Sequence, residues 1–128
     1  MSYHLSRRLK SSMEDAEERV KEKLAEEGFG VLTRIDVQAT LKKKLDADID
    51  PYVILGACNP RYAHQALQLE PHIGTMLPCN VIIRQLAAGK VEVSAVDPMA
   101  SMQAIDNPKL RAVARMVRER LERVVEAL

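Results

Sequence analysis

Residues 52–60, YVILGACNP, decide how the rest of the chain is read. Tyr52 to Cys58 is almost wholly apolar, as expected of a central strand covered on at least one face. Gly56 weakens such a strand unless another part of the chain approaches closely there. Asn59 is a good N-cap and Pro60 a good first helical residue, so a helix starts where the strand stops. Tyr62, Ala63, Ala66, Leu67 and Leu69 supply its apolar surface, and Glu70-Pro71 ends it. His72 to Leu77 is a connection hinged at Gly74.

Beyond it, TMLPCNVIIR at 75–84 repeats the Cys-Asn pair at the start of a second strand. There Cys79, Val81 and Ile83 alternate with Asn80, Ile82 and Arg84. Ala88-Gly89-Lys90 is a turn, Val91, Val93 and Ala95 complete a hairpin, and Asp97-Pro98 closes it. Met99 to Ile105 reads as one or two helical turns. Asn107-Pro108 repeats the cap-and-proline device and opens a final helix. Leu110, Val113, Ala114, Val117, Leu121, Val124 and Leu128 form its continuous apolar stripe.

Towards the N-terminus, Ser2 to Leu9 alternates as a strand, with Tyr3 and Leu5 expected to face the core. Ser11 with Glu14 makes a capping box for the next helix, and Ser12 with Asp15 competes for the role. Met13, Ala16, Val20 and Leu24 mark its buried stripe, and Gly28 ends it. Phe29 to Val37 is a second strand, with Val31, Thr33, Ile35 and Val37 expected on one face. Leu41 and Leu45 then mark a short helix or turn. Lys42, Lys43 and Lys44 precede Asp46, Asp48 and Asp50, which reads as a solvated loop or as an anion-binding lip. The order β-α-β-(α)-β-α-β-β-α argues for an α+β domain, one unit over 1–128, with helices on one face of an antiparallel sheet.

Composition fits that reading. A chain of 128 residues buries about two-thirds of its unfolded surface and needs no staples. With no tryptophan and a single phenylalanine, Phe29, the core must come from Leu, Val, Ile, Ala and Met. The formal net charge of +1 supplies no global field towards nucleic acid or a membrane. No apolar run approaches the ~20 residues of a membrane span, and the first residues are too polar for a signal peptide. A cytoplasmic location follows, in which Cys58 and Cys79 stay as thiols. Abundant Arg and Glu with few Asn lean towards a thermophilic source.

The run GACNPRYAHQALQLEPHIGTMLPCNVIIR, followed by GKVEVSAVDP, resembles the domain-of-unknown-function 302 family. The resemblance covers nearly the whole chain, and its most specific parts are Asn59-Pro60, the EPHIG and LPCN segments and Asp97-Pro98. It implies a curved antiparallel sheet with packed helices, similar to the TATA-binding-protein-like arrangement, and a homodimer. That family has no established reaction, so no catalytic residue carries over.

If the two Cys-bearing strands are antiparallel neighbours, the thiols lie near one sheet edge. Cys58 also precedes a helix N-terminus, which favours a reactive thiolate. His64 or His72 added to the cysteines would make a Cys/His site for a soft metal. The bland alternative makes both cysteines small buried hydrophobes. Asn59 and Asn80 are either a cap and a strand-entry residue or an amide pair that positions a ligand. Met99 and Met102 are gap-fillers or a dimer contact. Arg111, Arg115 and Arg118 line one side of the last helix, but Glu119, Glu122 and Glu126 interleave and no aromatic is at hand for stacking, so nucleic acid is not expected as a partner.

Three functions remain. The first is a homodimeric module that binds a small molecule between sheet and helices, near the Cys58-Asn59 and Cys79-Asn80 corners. The second is a thiol- or metal-dependent redox enzyme or sensor. The third is a structural interaction subunit. The sequence names no cofactor.

Overall fold

The computed structural model describes residues 2–128. Its elements run β1 (His4–Lys10), α1 (Met13–Glu26), β2 (Gly30–Asp36), α2 (Val37–Leu45), β3 (Tyr52–Cys58) and α3 (Pro60–Leu69). A 3₁₀ segment (Pro71–Met76), β4 (Cys79–Ala87), β5 (Lys90–Val96), α4 (Pro98–Ser101) and α5 (Pro108–Glu126) complete the chain. The strands form one sheet in the order β1-β5-β4-β3-β2, and every neighbouring pair is antiparallel. The α+β class read from the sequence holds.

Alternation decides which side of the sheet is packed. Val53, Leu55 and Ala57 of β3, Val81 and Ile83 of β4, and Val91, Val93 and Ala95 of β5 point into the core. There they meet Ala16, Val20 and Leu24 of α1 and Leu110, Val113, Val117, Leu121 and Val124 of α5. Each fully buried Leu, Ile or Val contributes about 1.5–3 kcal/mol relative to an exposed one. The packed interior is therefore aliphatic, with Phe29 and Tyr62 as its buried aromatics.

The helix ends are set by their caps. Ser12, rather than Ser11, caps α1: its side chain accepts from the Asp15 backbone N–H. After the C-cap Glu27, Gly28 takes a left-handed φ of 85°, where a residue with a Cβ is strained. At α5, the Asn107 side chain accepts from the backbone N–H groups of both Lys109 and Leu110. The turn into α4 is tied to α5 by an ion pair: Arg118 Nε donates to Asp97 Oδ2 at 3.1 Å, and Asp97 is itself buried.

Two local expectations fail for physical reasons. Tyr3 lies just before β1 and is 72% exposed, so Leu5 packs on the core without it. In β2 a bulge at Leu32 inserts one extra residue. Val31 pairs with Ala57 on the core side, while Thr33 and Ile35 pair with Gly56 and Ile54 on the other. The bulge flips the alternation that would have put all of them on one face.

Candidate ligand site

β3 and β4 are antiparallel neighbours, and Ala57 sits opposite Cys79 in their register. Cys58, one residue further along β3, therefore ends beside Cys79 at the same end of the sheet. Both are free thiols, and both line a cavity of about 30 Å³. Its walls come from three layers: Phe29 and Ala57 at the sheet, Tyr62 and Ala66 on α3, and Val113 and Val117 on α5. Leu77, Met102 and Asn59 complete it, and all three are only partly buried.

The cavity is a narrow apolar slot. A single water needs roughly 10–15 Å³ of such space, so the slot as it stands holds one or two. Alanines create it. Ala57 on β3, Ala63 and Ala66 on α3 and Ala114 on α5 are small side chains at positions that line the slot.

The two thiols differ. Cys79 is buried, and burial, with a smaller contribution from the neighbouring Cys58, pushes its pKa up to about 11. At neutral pH Cys79 is thus a protonated, weakly polar wall rather than a nucleophile. Cys58 is partly buried and sits at the mouth of the α3 N-terminus.

Asn59 occupies the N-cap position of α3, but its side chain makes no cap hydrogen bond. Its Nδ2 instead donates to the Glu27 carbonyl at 3.3 Å, which ties the start of α3 to the end of α1. Gly28 permits this approach: a Cβ there would stand 3.0 Å from Asn59 Nδ2. The same corner holds Arg120, which lies over the Tyr62 ring at 5.5 Å and donates to its hydroxyl.

The four residues grouped from the sequence therefore divide. Cys58, Asn59 and Cys79 line the slot, whereas Asn80 is exposed on the opposite side of the sheet, opposite Gly56. Strand alternation makes this unavoidable, because neighbours along β4 point to opposite faces. His64 is exposed on α3, and His72 is exposed with its Nδ1 3.3 Å from Glu70 Oε1. Neither histidine lines the slot. Among the described residues no group of three or more His, Cys, Asp or Glu is arranged to hold a metal ion, and no helix is long and apolar enough to cross a membrane. Sequence reasoning missed the α5 wall and the alanines of α3. The available signal was alanine at stripe positions whose neighbours are Leu or Val.

A five-stranded antiparallel sheet with helices on one face and a slot between them places the chain in the α+β class. The profile of one family, described as "Domain of unknown function DUF302", matches residues 5–128, and the chain belongs to that family. The structure is also similar to the crystal structure of an uncharacterized conserved protein DUF302 from Bacillus stearothermophilus. The two share 29% identity over 98% of each chain, with a TM-score of 0.91. No curated protein matches the chain.

Proposed function

We propose that the protein is a cytoplasmic homodimeric module that binds a small, largely apolar molecule in the slot between sheet and helices. One observation carries this reading: a gap lined by Ala57, Ala63, Ala66 and Ala114, with the partly buried Leu77 and Met102 among its walls, where close packing leaves few voids. Met102 in its wall is unbranched and soft, the kind of side chain that adapts its shape to a ligand. Cys58 and Asn59 at the rim offer the ligand its polar contacts.

The test is a thermal-shift and calorimetric titration with small apolar molecules such as indole and short-chain alcohols. Saturation at 100 times the dissociation constant adds about 2.7 kcal/mol of stability. Filling the slot with Ala63→Leu should abolish that gain. If no such molecule stabilises the protein, or if Ala63→Leu leaves the gain intact, the slot is only a packing defect.

The dimer is supported by the sheet's β2 edge. Leu32 and Ile35 on this edge strand are 67% and 47% exposed, and Leu45 on the following α2 is 72% exposed. An apolar strand edge of this kind suits pairing with a second copy of the chain. Sedimentation equilibrium should give a dimer, and Leu32→Lys with Ile35→Lys a monomer; a parent that sediments as a monomer removes this part of the reading.

A further inference from the structure

The sheet face turned away from the helices has an order of its own. Register lines up its outward side chains across the strands. One row reads Ile35, Ile54, Ile82, Ser94, Ser6. The next reads Tyr52, Arg84, Glu92, Arg8. On the other side of the isoleucine row, Asn80 stands opposite Gly56, and His4 opposite Val96. These rows surround a groove of about 500 Å³, lined among others by Tyr52, Asn80, Ile82, Arg84 and Ser94. A volume of roughly 300–1,000 Å³ is the usual size of a small-molecule site.

The charged row is unbalanced. Arg84 puts Nε and Nη2 on Glu92 Oε1 at 3.0 and 2.9 Å, and Arg8 puts Nε on Glu92 Oε2 at 3.4 Å. Burial pushes the Glu92 carboxyl up, and the hydrogen bonds from Arg84 and Arg8 more than reverse it, so the group stays ionised at neutral pH. Two guanidiniums thus share one carboxylate, leaving one net positive charge. A guanidinium carries five N–H donors, and Glu92 takes two from Arg84 and one from Arg8. Arg84 lines the groove, and its remaining donors offer the planar fork that suits a carboxylate.

Next to this charge lies an apolar floor at Ile82, with Tyr52 lining the same groove. Beyond the floor, His4 Nδ1 is 2.5 Å from Ser6 Oγ, which is 2.6 Å from Ser94 Oγ, a hydrogen-bonded chain that fixes both hydroxyls. The exposed Asn80 amide stands four residues along β4 from Arg84, about 13 Å at the strand rise.

We infer that this groove is a second ligand site, for a small organic carboxylate whose anionic head is held by Arg84, with Arg8 flanking it across Glu92, and whose apolar body lies on Ile82 beside Tyr52. A bare inorganic anion would use the arginines and leave the isoleucine row wet. A neutral isostere would use the floor and leave the guanidinium donors unmatched. The matched ligand has both parts, and its length is bounded by the span from Arg84 to Asn80. One net charge in the groove matches a monoanion.

The experiment is an amide NMR titration of the full chain with benzoate, with benzamide as the neutral isostere and inorganic phosphate as the bare anion. Benzoate should shift the amides of Ile82, Arg84, Glu92 and Ser94 saturably, and should bind at least about tenfold more tightly than either control. Arg84→Gln should weaken benzoate about tenfold. Arg8→Gln, at a side chain 76% exposed and so harmless to folding, should weaken it severalfold. Equal binding of benzoate and benzamide overturns the assignment, as does phosphate binding as tightly as benzoate. So do benzoate shifts confined to α3 and α5, benzoate affinity unchanged in both variants, or no saturable shift at all. If Arg84→Gln fails to fold, Arg8→Gln and the benzamide comparison decide.

Discussion

A Cβ placed on Gly56 of β3 would stand 2.7 Å from Cγ of Pro78, the residue that leads into β4. Thr33 of β2 approaches the same point more closely still through its hydroxyl. Three consecutive parts of the sheet therefore meet over one missing side chain. Gly56→Ala should cost about 1–3 kcal/mol, the usual penalty for overpacking a rigid site. The midpoint of urea denaturation reads it. Adding Thr33→Ala should restore only part of the loss, because the proline ring remains. A Gly56→Ala protein as stable as the parent would mean that Pro78 moves freely, contrary to this packing.

The thiols at the slot should separate by labelling. With its pKa pushed up to about 11 by burial and by Cys58, Cys79 is thiolate to the order of one part in a thousand near pH 8. Iodoacetamide should modify Cys58 in the folded protein and spare Cys79, with both modified in urea; mass spectrometry of the digested protein reads each site. Equal rates in the folded state would show that Cys79 is neither sealed nor shifted.

Acid should weaken the fold through two carboxylates. The hydrogen bonds from Arg34, Nε at 2.8 Å and Nη2 at 3.0 Å, hold the Glu17 carboxyl below its ordinary 4.5 against the opposing effect of burial. Glu92 is lowered as well, its arginines outweighing burial. A depressed pKa means that folding favours the ionised form. The contribution is fully present above the ordinary value and fades as pH falls from it through the folded value. The melting temperature should therefore drop below about pH 4.5, and Glu17→Gln should make that decline shallower. Parallel acid limbs for parent and variant would show that Glu17 is not shifted.

Much of the fold was legible because local chemistry and global packing agree. The α5 stripe from Leu110 to Leu128 is buried as its 3.6-residue spacing demands, and Tyr52 to Cys58 is the strand its apolar run announced. Where the reading failed, the deciding fact was not local. Nothing in Gly30 to Asp36 alone marks the bulge at Leu32, which depends on the pairing with β3. Tyr3 has the alternation of a core residue but lies one position outside β1. The repeated Cys-Asn pair pointed to one corner, and three of its four residues do share it. Asn80 departs because strand parity, not composition, assigns its face. The open-face groove was invisible because its rows combine residues far apart in the chain, such as Ser6 and Ser94, which are 88 positions apart.

The two Asn-Pro helix starts look alike in sequence and differ in structure, which gives a direct comparison. Asn107 accepts from two backbone N–H groups of α5 and also donates Nδ2 to the Leu69 carbonyl at 3.1 Å, so it caps one helix and closes the end of α3. Asn59 makes no cap bond and only donates to Glu27. Asn107→Ala should therefore cost about 1–2 kcal/mol, the upper part of the N-cap range. Asn59→Ala removes a single hydrogen bond at a partly buried site and should cost about 0.5–1.5 kcal/mol, less than the first. Both are read from urea denaturation at constant slope, so that the midpoint shift reports stability alone. The reverse order would show that Asn59 caps α3 in solution and that its bond to Glu27 is secondary.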